Sequence, residues 1–223
     1  MNFTFGIITH DNKYIREMVD SIYRQNIPIF EIIIIGGSEL DIYKDANITH
    51  IPFDETIKPM WITKKKNLIT EHAKYENIVY LHDYIILLDD WYKGFLKYGD
   101  DFKICMTKML TFDDQRYRDW HIGWSPIINT TNEYLIPYDM THLSKYMYIS
   151  GAYWVAKKEI MEMYPLNEDL CWGQGEDAEW SNRYRIDNDY SINKHSTVKL
   201  LKYNIIVFRE ATNAIIEKLK KIK

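Results

Sequence analysis

Cysteine is scarce in this chain of 223 residues: Cys105 and Cys171 are the only two, and no CxxC pair occurs. A disulfide framework or a structural zinc site therefore has no basis in the sequence. Long apolar runs are missing as well. The longest stretches, such as Ile32 to Ile35 and Ile85 to Leu88, are strand-sized and far short of the roughly 20 residues that cross a bilayer. Met1 to Phe5 has neither the basic start nor the apolar stretch of a secretory leader. The expectation is a soluble protein of a reducing, cytoplasmic compartment, or one peripheral at a membrane. Charge of one sign is also lacking, since 28 Lys and Arg against 32 Asp and Glu leave −4. That balance argues against a chain built mainly to grip nucleic acid or an anionic surface, and leaves room for a local basic patch.

What is present is ordinary globular matter with an aromatic excess. Hydrophobic residues make up 46% and charged residues 27%, which excludes disorder and fibrous repeats. The 18 Tyr and 7 Trp must fill a core or line a surface that grips flat faces. A length of this kind suits one α/β domain. Phe3 to Ile8 reads as a strand, and Asp11 as the N-cap of a helix with Ile15, Met18, Val19, Ile22 and Tyr23 on one face. Phe30 to Ile35, apolar on both faces and stopped by Gly36-Gly37-Ser38, suits a buried parallel strand. Ile48 to Phe53 is a third strand. Thr63 caps a helix that carries Lys64, Lys65, Lys66 and Asn67, with Leu68, Ile69 and Ala73 inward. Ile78 to Leu81 is a fourth strand, ending at His82-Asp83-Tyr84.

Parallel α/β sheets place ligands beyond the carboxyl ends of their strands. Thr9-His10-Asp11, Gly36-Gly37-Ser38 and His82-Asp83 should converge there. The stretch from Asp113 to Leu143 reads as a long loop over that crevice. Beyond it come a strand from Tyr148 to Ala156, a helix ended by Pro165, strands over Val198 to Leu201 and Ile205 to Phe208, and a last helix. That helix turns Ile215, Ile216, Leu219 and Ile222 inward and its lysines to solvent.

Asp83 follows a buried strand, where a carboxylate serves as a cap or meets water, a cation or a substrate. The lysines near the start of the second helix are either a solvated face or an anion site. Taken with Asp83 they suggest a metal–diphosphate ligand, with Lys66 or Lys64 on the phosphate oxygens. Gly175-Glu176-Asp177 opens another helix between Trp172 and Trp180. It reads as a capping arrangement or as a sugar site, flat apolar faces beside carboxylates able to take a hydroxyl proton. His195, just before a strand, would complete a metal shell and favour Mn over Mg.

Four segments in this order resemble a GT-A fold glycosyltransferase of the family 2-like group. They are Ile7-Ile8-Thr9-His10-Asp11 with Ser21 to Gln25, Glu31 to Gly37, Lys66-Asn67 upstream of Leu81-His82-Asp83-Tyr84, and Trp172 to Asp177. The resemblance runs over about residues 3 to 208. It implies a single domain with a Rossmann-like, mostly parallel central sheet flanked by helices. A nucleotide-sugar half would span about 1–110, an acceptor and catalytic half about 111–208, and a C-terminal helix 209–223. It further implies a UDP-sugar donor, with Thr9, His10 and Asp11 against the base and Gly36 and Gly37 letting the backbone approach it. Lys66 and Asn67 would lie near the diphosphate. Asp83 corresponds to the metal-binding acid of the family's DXD motif, reduced here to His82-Asp83-Tyr84, which leaves His82 for the ribose. His195 resembles the late histidine that closes the metal shell around Mn2+ or Mg2+. Asp177, or its neighbour Glu176, stands where inverting members keep the base, and Trp154, Trp172, Gly175 and Trp180 would shape the sugar site. The last segment also resembles retaining N-acetylgalactosaminyltransferases, in which Asp177 would bind sugar instead; inversion is favoured.

The reading is thus a metal-dependent hexosyltransferase acting on a glycan, lipid-linked or other hydroxyl, with a nucleic-acid acceptor disfavoured. A nucleotidyltransferase would carry a glycine-rich basic loop after its first strand, which Thr9 to Lys13 lacks. A non-catalytic carbohydrate-binding protein is the remaining alternative.

Overall fold

The computed structural model describes residues 1–38, 46–123, 133–202 and 208–221. Strand β1 (Phe3–Ile8) is buried along its whole length and leads through helix α1 (Ile15–Tyr23) to β2 (Phe30–Ile35). The two strands pair in parallel, Phe3 opposite Phe30 and Ile8 opposite Ile35, as a crossover through a helix permits. Helix α1 buries Ile15, Met18, Val19 and Ile22, a spacing that gathers one apolar face. Asp11 does not cap it. The N-cap is Tyr14, while the Asp11 carboxylate accepts the Lys13 N–H at 3.0 Å and Asn12 adopts a left-handed φ of 59°. The chain therefore makes one more turn before the helix starts.

Strand β3 (Ile48–Ile51) is shorter than the sequence suggests because Pro52 has no N–H for the ladder. Helix α2 (Ile62–His72) and strand β4 (Asn77–His82) follow. Thr63 is not the cap of α2; Trp61 holds that position, and the Thr63 hydroxyl donates to the Leu170 carbonyl at 2.7 Å. Ile69 of α2 lies so close to β1 that a Cβ on Gly6 would stand 2.2 Å from its Cγ2. That approach brings the first turns of α2 over the strand ends.

Strand β5 (Ile85–Leu87), helix α3 (Trp91–Tyr98) and strand β6 (Ile104–Leu110) come next. Two short strands, β7 (His121–Ile122) and β8 (Tyr134–Leu135), precede a 3-10 turn over Thr141–Tyr146. The second half continues with β9 (Tyr153–Lys157), α4 (Lys158–Met163), α5 (Glu176–Tyr184) and β10 (Ser191–Leu200). Strand β11 (Arg209–Glu210) and helix α6 (Asn213–Lys220) are last. Most of the strand expected over Ile205 to Phe208, and Ile222, lie outside the described residues.

The main sheet has the order β3-β2-β1-β4-β9-β6-β10-β5, and β11-β8-β7 form a second, small sheet. β3, β2, β1 and β4 are mutually parallel. β9 runs antiparallel to both β4 and β6, so its first residues sit beside the carboxyl end of β4. The stretch from Asp113 to Leu143 is not a bare loop. Besides β7 and β8 it holds an Arg116–Asp119 ion pair at 2.9 Å, and Tyr138 donates to the same carboxylate at 2.7 Å. The aromatic excess goes chiefly inward. Phe3, Phe5, Trp91 and Phe95 pack edge to face or tilted with centroids 4.6–5.9 Å apart, distances at which ring quadrupoles attract.

Candidate active site

A cleft of about 630 Å³ opens at the carboxyl end of β4, the place an α/β sheet reserves for ligands. His82 and Tyr84 line it from the end of β4, and Ser150, Gly151 and Ala152 from the turn before β9. Glu176 and Asp177 come from the start of α5, Tyr117, Arg118 and His121 from the segment before and in β7, and Leu200 and Lys202 from the end of β10. Trp172, 53% exposed, stands at its rim. The geometry begins with the ladder: His82 donates its N–H to the Ala152 carbonyl at 3.0 Å, which fixes Gly151 next to the strand end.

Gly151 is the hinge of the floor. Its carbonyl accepts the Lys66 ammonium at 2.7 Å, and its N–H donates to the Asp177 carboxylate at 3.2 Å. Asp177 also accepts the N–H of Ala178 at 2.8 Å through its other oxygen. A Cβ at position 151 would stand 3.1 Å from Asp177 and 3.2 Å from Glu176, so glycine keeps the two carboxylates near the backbone. Gly175 precedes them with φ 73°, a left-handed conformation at the helix entrance that glycine adopts without strain. Burial raises the Glu176 carboxyl above its ordinary range, with Lys66 opposing and Asp177 reinforcing the shift. Burial lowers Lys66 to about 8, against the pull of Glu176 and Asp177.

The lysines of α2 part company around its circumference. Lys66 is 1% exposed, with its ammonium 4.7 Å from the centre of the Trp154 indole. It lies under the floor, bonded to Gly151, and is not among the residues that line the cleft. Lys65 is buried too, donating to the Thr9 carbonyl at 2.8 Å and paired with Glu55. Lys64 is 3.3 Å from Glu168 and 3.9 Å from Glu71; two residues from Lys66 is about 200° around a helix, which removes it from the cleft. Asn67 clamps the chain after α4, donating to Leu166 and Glu168 and accepting from Leu166. It is a brace for that loop and is not among the residues that line the cleft.

Trp154 and Trp180 are fully buried. Trp154 stacks on Tyr80 at 4.6 Å, and Trp180 stacks on Tyr184 at 5.0 Å while donating to the Tyr164 carbonyl. Both belong to the core, which leaves Trp172 and Gly175 of the expected sugar-facing set at the cleft. Gly36 and Gly37, with φ of 91° and 76°, allow a close approach, but by the protein itself. A Cβ would stand 2.3 Å from the Thr9 carbonyl and 1.9 Å from Asn12 Oδ1, respectively. Thr9, Asp11 and Gly36-Gly37-Ser38 do converge. Asn12 donates to Ser38, and Thr9 Oγ1 donates to Asp83 Oδ2 at 2.7 Å. His10 is exposed, 3.7 Å from Glu55.

Burial foremost, then the charges of Lys66, Lys65 and Lys202, push the His82 ring well below the usual imidazole range, against a hydrogen bond to the Gly151 backbone. The ring is neutral near pH 7. Nε2 has no partner among the described residues, so Nδ1 makes the Gly151 bond and Nε2 is left as an acceptor suited to a ligand hydroxyl.

Mn2+ or Mg2+ held by Asp83 and His195 does not fit these residues. Asp83 is absent from the cleft lining, and its carboxylate accepts the Thr9 hydroxyl and the His10 N–H. Burial raises it above the ordinary carboxyl range, against the hydrogen bonds from Thr9 and His10. His195 sits in an irregularity of β10 between Asn193 and Thr197, its backbone against Gly94 of α3. Lys97, Lys194 and Lys108 surround it and, after desolvation, lower its ring further. Leu201, whose N–H reaches the Tyr84 carbonyl just past the end of β10, is six residues on, roughly 20 Å of extended chain. Among the described residues no three His, Cys, Asp or Glu side chains are grouped to hold a metal ion.

Sequence reasoning passed over Lys65, Tyr84, Arg118, His121, Glu133, Gly151 and Lys202. The signal for Lys202 was its place just past a strand end; Arg118 and Glu133 lie in a stretch without periodicity and pair only in space.

No protein-family model and no curated protein sequence matches this chain. Solved structures do. Residues 1–349 of S. aureus TarS superpose with a TM-score of 0.63 at 13% identity, over 88% of this chain and 60% of that one. The same protein in complex with UDP-GlcNAc gives 0.60 at 13% over 92% and 60%. GalNAc-T7 with UDP, GalNAc and Mn2+ gives 0.60 at 11%, over 99% of this chain and 47% of that one. Both are glycosyltransferases, and the fold shared with them is of the GT-A type. This chain spans 60% of the TarS 1–349 piece, 38% of the longer TarS chain and 47% of the GalNAc-T7 chain. Among the described residues no helix is long and apolar enough to cross a membrane.

Proposed function

We propose that this protein is a glycosyltransferase that moves a hexosyl group from a nucleotide sugar, a UDP-sugar, to an acceptor hydroxyl. The observation that carries the reading is the pair Glu176–Asp177 at the start of α5, lining, in a GT-A-type fold, a cleft that Arg118 and Lys202 also line. That TarS is seen in complex with UDP-GlcNAc, and GalNAc-T7 with UDP, GalNAc and Mn2+, supports it.

The acceptor oxygen attacks the anomeric carbon while the bond from that carbon to the diphosphate oxygen breaks. Asp177 takes the hydroxyl proton. Its two oxygens are each aimed by a backbone N–H, from Gly151 and Ala178, so the base is oriented before substrate arrives. Trp172 at the rim offers a flat face to the acceptor. Inversion at the anomeric carbon follows from a base on the side opposite the leaving group.

Asp177→Asn keeps the shape and removes the base. UDP-sugar turnover should fall by about 100-fold or more, with donor affinity by calorimetry within about twofold of wild type. Unchanged turnover removes Asp177 from the reaction; release of pyrophosphate from a nucleoside triphosphate by the wild type would point to a nucleotidyltransferase instead.

A further inference from the structure

The strand-end motif presents His82 and Tyr84 to the cleft, while the carboxylate between them is taken by Thr9 and His10. At the position where the resemblance calls for metal ligands, the cleft therefore meets an imidazole and a phenol. Positive charge is nonetheless present there. Lys202 lines the cleft with its ammonium 5.5 Å from the centre of the Tyr84 ring, and among the described residues it has no carboxylate within ion-pair distance. Arg118 lines the same space, its guanidinium forked onto Glu133. Lys66 lies beneath, bonded to Gly151. His82 lines the same cavity, and its Nε2 is buried without a partner among the described residues.

We propose that the cleft binds the diphosphate of its donor without a divalent cation, Lys202 supplying the charge that a metal would otherwise bring and His82 Nε2 accepting a hydroxyl of the donor. The proposal rests on the glycosyltransferase reading above and deepens it. When the anomeric carbon leaves the diphosphate oxygen, both electrons of that bond go to the diphosphate, and the new negative charge falls beside the Lys202 ammonium. The acceptor proton ends on Asp177. A lysine is a point charge suited to phosphate oxygens, free to follow the leaving group on its four-carbon stem.

The test is calorimetric titration of UDP and UMP into wild type, Lys202→Met and Lys202→Arg, each in EDTA and again in Mn2+. The expected result for wild type is a UDP affinity in EDTA within about twofold of that in Mn2+. Lys202→Met should weaken UDP by about tenfold or more, Lys202→Arg by about threefold or less, and UMP should change little in either. Lys202 is exposed, so these variants fold, and unchanged melting temperatures verify it. A UDP affinity that collapses in EDTA, or one indifferent to Lys202→Met, overturns the metal-free site and leaves the glycosyltransferase reading standing. Failure of UDP, GDP and CDP to bind wild type in either buffer overturns both.

Discussion

Burying the ammonium of Lys66 against Trp154 costs hydration that one carbonyl bond restores only in part. Glu176 and Asp177 offset part of the remainder from across the floor. The group drops from its ordinary 10.5 to about 8, and the sign of its effect on stability follows. Below pH 8 the lysine is charged in both folded and unfolded chains, and the cost of burial is fully present. Between pH 8 and 10.5 the unfolded chain holds more protons, so stability gains with pH. Comparing wild type with Lys66→Met by urea unfolding isolates this group from the tyrosines. The difference between them should move in favour of wild type by about 2 kcal/mol from pH 8 to 10. A flat or opposite trend would mean that Lys66 reaches water. None of this was legible in Lys64-Lys65-Lys66, because three consecutive lysines read as a solvated face and only the packing of α2 decides which of them goes under. Glu176 and Asp177 were legible, since two acids after Trp172-Gly-Gln-Gly175 require a turn opening a helix whatever lies around it.

At the scale of elements, the contact between β1 and α2 sets where Lys65 and Lys66 arrive. Gly6 leaves no room for a methyl against Ile69. Gly6→Ala should cost about 1–3 kcal/mol through overpacking. Adding Ile69→Ala should recover part of that loss, so the two changes are not additive; denaturant unfolding of the four-member cycle measures it, and simple additivity would mean the elements do not touch there. The parallel strands were readable from their continuous apolar runs, Ile32 to Ile35 above all. Helix α3 and strand β6 were not anticipated, and β9 starts later than the apolar pattern from Tyr148 suggests. There the bridge at Tyr148 and the turn at Gly151 interrupt the ladder. His195, expected just before the strand at Val198 as the histidine completing a metal shell, lies within β10, where an irregularity holds it against α3.

For the whole molecule, the core absorbs most of what the composition offered to a ligand. Trp154 and Trp180 looked like a sugar-binding surface and are fully buried, because seven tryptophans in a chain of this length exceed what one cleft can use. The two cysteines divide likewise. Cys105 is buried with its thiol pushed far up by desolvation, and Cys171 is half-buried beside the cleft rim. A thiol reagent should therefore titrate one cysteine in the native protein and the second only on unfolding, followed by absorbance and located by peptide mass. Two fast thiols would mean that β6 is not covered as described.

The amino-acid sequence alone determined the parallel half of the sheet, the helix opening at Gly175 and the placing of a ligand cleft beyond the strand ends. These follow from period, turn chemistry and the exclusion of water, which act over a few residues at a time. Tertiary structure alone decided which charges face that cleft. Asp83 meets Thr9, Lys66 sinks beneath Gly151, His195 stays with α3, and Lys202 comes in from β10. Each of those outcomes depends on the desolvation of a charge by parts of the chain distant in sequence, a cost that no local pattern records.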